Sequence, residues 1–123
     1  MAPDDNEREE YIMHKITFEN FYNIMSYDIT KNHACIEIEF MIDNCKDYQN
    51  SWLGKMLDKE TKKESYWYGL VEDGSQAYDY DSFEEFANAK IFCGKSIREI
   101  WGSVSLFSID ACDVGERLQF YLK

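Results

Sequence analysis

Six carboxylates, Glu72, Asp73, Asp79, Asp81, Glu84 and Glu85, fall between residues 72 and 85, and Trp67, Tyr68, Tyr78 and Tyr80 are interleaved with them. Two chemistries could use such a group. Paired carboxylates do general acid–base work when a cleft raises one pKa. In a chain with 24 acidic residues, however, close carboxylates are expected by chance. The second chemistry is recognition: rigid aromatic side chains anchor a contact, and carboxylates around them pair with arginine or lysine of a partner. The competing reading puts the aromatics in the core and leaves the acids facing water. The candidate partner-binding set is Trp67, Tyr68, Glu72, Asp73, Asp79, Tyr80, Asp81, Glu84 and Glu85. No catalytic residue, metal ligand or cofactor-binding residue is assigned.

Other reactive side chains carry weaker signals. Gly94-Lys95-Ser96 has the end of a phosphate-binding loop, but that motif needs glycine at position 89, which is Ala89, and a strand before it, where the sequence reads as helix. A turn between two helices is the expectation there. His14 and His33 have no motif partner. Cys35, Cys45, Cys93 and Cys112 include no C-x-x-C pair and no zinc-like spacing. They read as free thiols, several of them buried.

The formal net charge of −11 over 123 residues argues against phosphate-backbone binding, which needs a basic footprint. It favours a basic partner through steering and complementarity; the plainer reading is solubility. Hydrophobic residues make up 45% of the chain and aromatics 16%, enough for one real core and too many for a disordered chain. No apolar run is long enough for a membrane helix, and the start, MAPDDNEREE, lacks a signal-peptide layout. The expectation is a cytoplasmic protein with no membrane partner.

The elements that must position the acid–aromatic group are legible nearby. Ser65–Val71 is rich in aromatic and β-branched residues. Asp73-Gly74 supplies a tight turn, and Gln76–Tyr80 alternates with Tyr78 and Tyr80 on one face. Ser82-Phe83-Glu84-Glu85 has capping-box spacing and predicts a helix start, with Phe83, Phe86 and Ala87 on one side. Ser96 and Glu99 repeat that spacing, which predicts a second short helix over 96–101. Upstream, Ile36, Ile38, Phe40 and Ile42 alternate with Glu37 and Glu39, which predicts a strand with one wet side. Ile16, Phe18, Phe21, Ile24 and Met25 fit a strand or a helix; the preferred arrangement is a hairpin pairing residues 21–29 with 34–42 through a turn at Lys31-Asn32-His33. Trp52–Leu57 is a strand or a short helix, followed by a turn at Asp58–Thr61. Lys55, Lys59, Lys62 and Lys63 read as a solvated lysine edge. Val104–Ile109 is a final strand, and Arg117–Leu122 a short strand or helix. Residues 1–12 form an acidic, mobile tail before a single domain at 13–123. The fold class is α+β: an antiparallel sheet built from hairpins, with two or three short helices packed on one face.

The segments YWYGLVEDGSQAYDYDSFEEF and GKSIREIW resemble, in style, the small acidic immunity proteins of bacterial contact-dependent or polymorphic toxin systems. That resemblance implies a non-enzymatic protein that binds one cognate toxin domain and blocks it; no residue role is carried over from it. The leading expectation is neutralisation of a basic protein, a toxin nuclease, by acidic side chains occupying positions that phosphates otherwise take. A carbohydrate- or small-ligand-binding module is the alternative, with Trp67, Tyr68 and Tyr80 as stacking platforms and Asp79 or Asp81 as acceptors. An enzyme of unassigned chemistry is the third.

Overall fold

The computed structural model describes residues 14–30, 35–70 and 75–122. Five strands form one antiparallel sheet: β1 (Cys35–Ile42), β2 (Ser51–Leu57), β3 (Glu64–Leu70), β4 (Gln76–Tyr80) and β5 (Val104–Ile109), in the order β4-β3-β2-β1-β5. Among the described residues, three helices, α1 (Phe18–Met25), α2 (Phe83–Asn88) and α3 (Val114–Tyr121), accompany it. The fold is α+β, and the expected β3–β4 hairpin is present, its turn lying outside the described residues. Among the described residues, no helix is long and apolar enough to cross a membrane.

Alternation decides which face of the sheet is buried. Ile36, Ile38, Phe40 and Ile42 are all buried, while Glu37 is exposed and Glu39 half-exposed. Register carries that face outward on both sides: Ile38 pairs with Leu53 and Ile109, and Leu53 with Tyr68. A bulge beside Glu39/Phe40 leaves Phe107 unpaired in β5. The added residue shifts the phase, so Leu106 and Ile109 both point into the core although three positions apart. All three helices pack against this one face. Phe21, Ile24 and Met25 of α1, Phe86 of α2, and Val114 and Tyr121 of α3 join a single core cluster with the inward strand residues.

Two expected elements differ. The segment preceding Lys31 is not a strand. Thr17 caps α1 by accepting the Asn20 N–H at 3.0 Å, and Phe21, Ile24 and Met25 fall on one helical stripe. The expected hairpin of 21–29 with 34–42 therefore does not form, and β1 pairs with β2 and β5 instead; its proposed turn at residues 31–33 lies outside the described residues. The second change is at Ser96–Trp101. The reciprocal capping bonds are there, Glu99 Oε1 accepting the Ser96 N–H at 2.9 Å and Ser96 Oγ accepting the Glu99 N–H at 3.1 Å. They close a run of turns and a 3-10 turn at Trp101–Ser103, not an α-helix. Gly94-Lys95 lies in a tight reversal at positive φ for Cys93 and Gly94, with Phe92 and Lys95 bonded backbone to backbone in both directions. Trp52–Leu57 is a strand, and Arg117–Leu122 belongs largely to a helix.

Two polar devices hold helices to the sheet. Lys55, placed by sequence on a solvated edge, faces inward with 2% exposure. Its ammonium donates to the carbonyl of Met25, the last residue of α1, at 2.9 Å and to that of Tyr27, just past the helix, at 3.0 Å, and pairs with Glu64 at 3.4 Å. A cation at the C-terminal end of a helix also complements its dipole. Near the same end of β1, just past β5, Asp110 accepts the Glu37 N–H at 2.9 Å, binds Arg117 at 2.7 Å and accepts the Tyr121 hydroxyl. One carboxylate thus joins β1 to α3. Burial, and then the hydrogen bond to Asp110, push the Tyr121 phenol well up, so it stays a donor.

Candidate functional site

Among the described residues, all three helices lie on one face of the sheet, and none of them covers the opposite face. It carries Cys35, Glu37, Glu39 and Met41 from β1, Trp52, Gly54 and Met56 from β2, Ser65, Trp67 and Gly69 from β3, and Ala77 and Asp79 from β4. Trp52 is 36% exposed and Met56 49%. Trp67 is half-buried, yet it is not part of the core cluster. Its indole lies on the sheet itself. A Cβ built at Gly54 would stand 2.8 Å from Trp67 Cζ2, and one at Gly69 would stand 3.8 Å from Cζ3. The ring thus occupies ground that two glycines leave bare.

Register sets the neighbours of each indole. Trp67 is directly opposite Asp79, and across Gly54 the same row ends at Glu37. Trp52 is directly opposite Glu39. These strands place no lysine or arginine on this face among the described residues, because Lys55 points the other way. Three carboxylates therefore stand beside two tryptophans with no cation from their own strands. At the β1 end the face continues into an open depression of about 630 Å³ lined by Met41, Asn44, Cys45, Lys46 and Gln49. Burial, and then the charges of Glu37 and Asp110, push the Cys35 thiol up, which keeps it protonated and poorly nucleophilic at neutral pH.

The structure divides the sequence-derived set. Trp67 and Asp79 lie on the open face. Tyr68 is a correction: it is 1% exposed, stacks on Phe86 at 4.1 Å and donates its hydroxyl to the Phe86 carbonyl at 2.7 Å. It is a core residue, and burial holds its phenol neutral. Tyr80 is half-buried on the helix side, edge-on to Tyr68 at 6.0 Å. Asp81 is exposed and pairs with Lys63 at 3.2 Å. Glu84 is exposed on α2 and pairs with Arg98 at 3.1 Å. Glu85 follows the Ser82 cap, whose hydroxyl accepts its N–H at 3.1 Å. Glu72 and Asp73 lie outside the described residues. Glu84 and Glu85 thus sit on α2 rather than on the sheet with Trp67 and Asp79, and Asp81 and Glu84 already have basic neighbours.

Sequence reasoning missed Trp52 and Met56 and gave Glu37 and Glu39 no role beyond a wet face. The signal was the alternation itself: opposite the apolar row of β1 lies a row that must face something. The thiols also differ from expectation, for Cys35, Cys93 and Cys112 are exposed, Cys45 is intermediate and none is buried. No group of histidine, cysteine, aspartate and glutamate among the described residues is arranged to hold a metal ion. No protein-family model, curated protein or solved structure matches the chain.

Proposed function

We propose that the protein is a non-enzymatic binding protein that neutralises a basic protein partner, as an immunity protein does when it blocks a cognate toxin nuclease. The observation that carries this reading is the uncovered sheet face, with Trp52, Trp67 and Met56 beside Glu37, Glu39 and Asp79 and no cation from its own strands. An exposed aromatic surface bordered by like charges has the anatomy of an interface: apolar anchors within a charged rim. The chain's net charge of −11 adds long-range attraction for a basic partner. A nuclease suits this chemistry because the surface it offers to phosphates is basic.

The test is capture on the immobilised protein at low salt, elution with high salt, and assay of the eluate for nucleic-acid cleavage. The expected result is one basic protein whose cleavage activity is abolished by one equivalent of added protein. Capture of an acidic protein, or cleavage unaffected by stoichiometric addition, refutes the reading. A second reading, a carbohydrate-binding module, draws on the Trp67 indole lying along the sheet, since sugars stack on such a platform. Glycan-array binding without a protein partner would favour it.

A further inference from the structure

We infer that the open sheet face is a two-pronged arginine receptor, which takes an extended segment of the basic partner carrying arginines at positions i and i+2. This rests on the basic-partner reading above and names the chemistry that the face recognises. Each prong is a cross-strand pair of an indole and a carboxylate: Trp67 with Asp79, and Trp52 with Glu39. A guanidinium is planar and weakly hydrated. It stacks on an indole face while its edge donates two parallel hydrogen bonds to a carboxylate. Lysine offers a compact, strongly hydrated charge and gains less from the same site.

The spacing matches. Trp52 pairs with Gly69, two residues from Trp67 on the neighbouring strand, so the indoles are diagonal neighbours. Diagonal cross-strand positions lie about 7–8 Å apart. Alternate side chains of an extended chain lie about 6.7 Å apart on one side. Two arginines flanking one residue therefore reach both indoles without bending. Glu37, at the far end of the Trp67 row, gives the first guanidinium a carboxylate on the other side of the ring.

Other occupants fit less well. A second copy of this chain would oppose three carboxylates to three, at a net charge of −11 each. A nucleic acid would bring phosphates against the same acids. A neutral glycan would shield the carboxylates from water with no charge to balance them.

The test uses the three tryptophans as reporters. Trp52 and Trp67 lie on the open face, whereas Trp101 donates its indole N–H to the Ile16 carbonyl at 2.7 Å and stacks on Phe21 at 4.4 Å. The protein is titrated by NMR at low salt with the blocked pentapeptides Gly-Arg-Ser-Arg-Gly and Gly-Lys-Ser-Lys-Gly. The arginine peptide should move the indole N–H signals of Trp52 and Trp67 and leave that of Trp101 in place. The lysine peptide should bind about threefold or more weakly. Asp79→Asn with Glu39→Gln should weaken arginine binding and flatten its salt dependence, with the Trp101 signal confirming an intact fold. Absence of indole shifts with the arginine peptide, equal binding of the two peptides, or shifts confined to the Glu84–Glu85 region would overturn the inference. So would indole shifts that track protein concentration alone, which identify a second copy as the occupant. To separate this inference from the proposed function, Trp52→Ala/Trp67→Ala is run in the capture assay. There, loss of one anchor typically weakens a protein interface by about 30-fold or more. Undiminished capture of a basic nuclease by this variant rejects the arginine site and keeps the function. Indole shifts with the arginine peptide, with no nuclease captured by the wild type, keep the site and reject the function.

Discussion

Gly54→Ala is the sharpest perturbation of the sheet that carries the candidate site. A Cβ at this position would stand 2.0 Å from the Ile36 carbonyl oxygen and 2.8 Å from Trp67 Cζ2. The two clashes differ in kind. The indole is a side chain and can rotate away; the carbonyl belongs to the β1 backbone and moves only if β1 and β2 separate. Forcing atoms into a packed site costs about 1–3 kcal/mol. Separating the strands locally also weakens ladder hydrogen bonds worth about 1 kcal/mol each. A loss of about 3–4 kcal/mol is expected, which in a domain of this size lowers Tm by about 12–16 °C. The assay is urea unfolding followed by far-UV circular dichroism, with calorimetry for Tm. Gly69→Ala is the internal control. It lies on the same face, its new Cβ meets Trp67 Cζ3 at an ordinary 3.8 Å, and stability should stay within about 0.5 kcal/mol. Adding Trp67→Ala to Gly54→Ala separates the two clashes. Truncating the indole relieves the 2.8 Å contact only, so most of the loss should remain. If Gly54→Ala unfolds within 0.5 kcal/mol of the wild type, or if Trp67→Ala restores it fully, the close approach of β1 and β2 is not as described.

Three further outcomes are expected. Lys55→Met should cost about 2–4 kcal/mol in denaturant unfolding, because the Met25 and Tyr27 carbonyls lose a buried charged donor. Lys63→Met, whose pair with Asp81 is exposed on both sides, should stay within about 0.5 kcal/mol. Asp43 governs part of the acid sensitivity. The hydrogen bond from Lys15 at 2.6 Å, aided by one from Ser105, holds its carboxyl below the usual carboxylate range. Its folded pKa is below its unfolded value of about 3.9, so its stabilisation is complete above that pH and is lost as pH falls through the folded value. Asp43→Asn should therefore flatten the fall in stability measured below about pH 4; an unchanged acid profile would reject this role. Finally, the four cysteines are free thiols, so a reducing agent should leave Tm within about 1 °C, whereas a bridge would have contributed a few kcal/mol.

Much of this protein was decided by local pattern. The apolar alternation of Ile36, Ile38, Phe40 and Ile42 was enough to orient β1, because a period of two leaves one choice of buried face. Ser82 with Glu84 and Glu85 marked the start of α2, and Asp113, whose side chain accepts the Glu116 N–H at 3.2 Å, caps α3 in the same way. The acid–aromatic mixture and the net charge were also plain in the sequence. What only the tertiary structure decided was which of these residues share a surface. Tyr68 and Trp67 are adjacent in the chain, yet pleating sends Tyr68 into the core and Trp67 to the open face. Trp52 meets Glu39, and Trp67 meets Asp79, through registers set by pairing across turns. Lys55 looked like one lysine in a solvated run until the end of α1 was brought over it. The physical reason is range. Periodicity and capping are written within a few residues, while register and the covering of one sheet face depend on contacts between segments far apart in the chain.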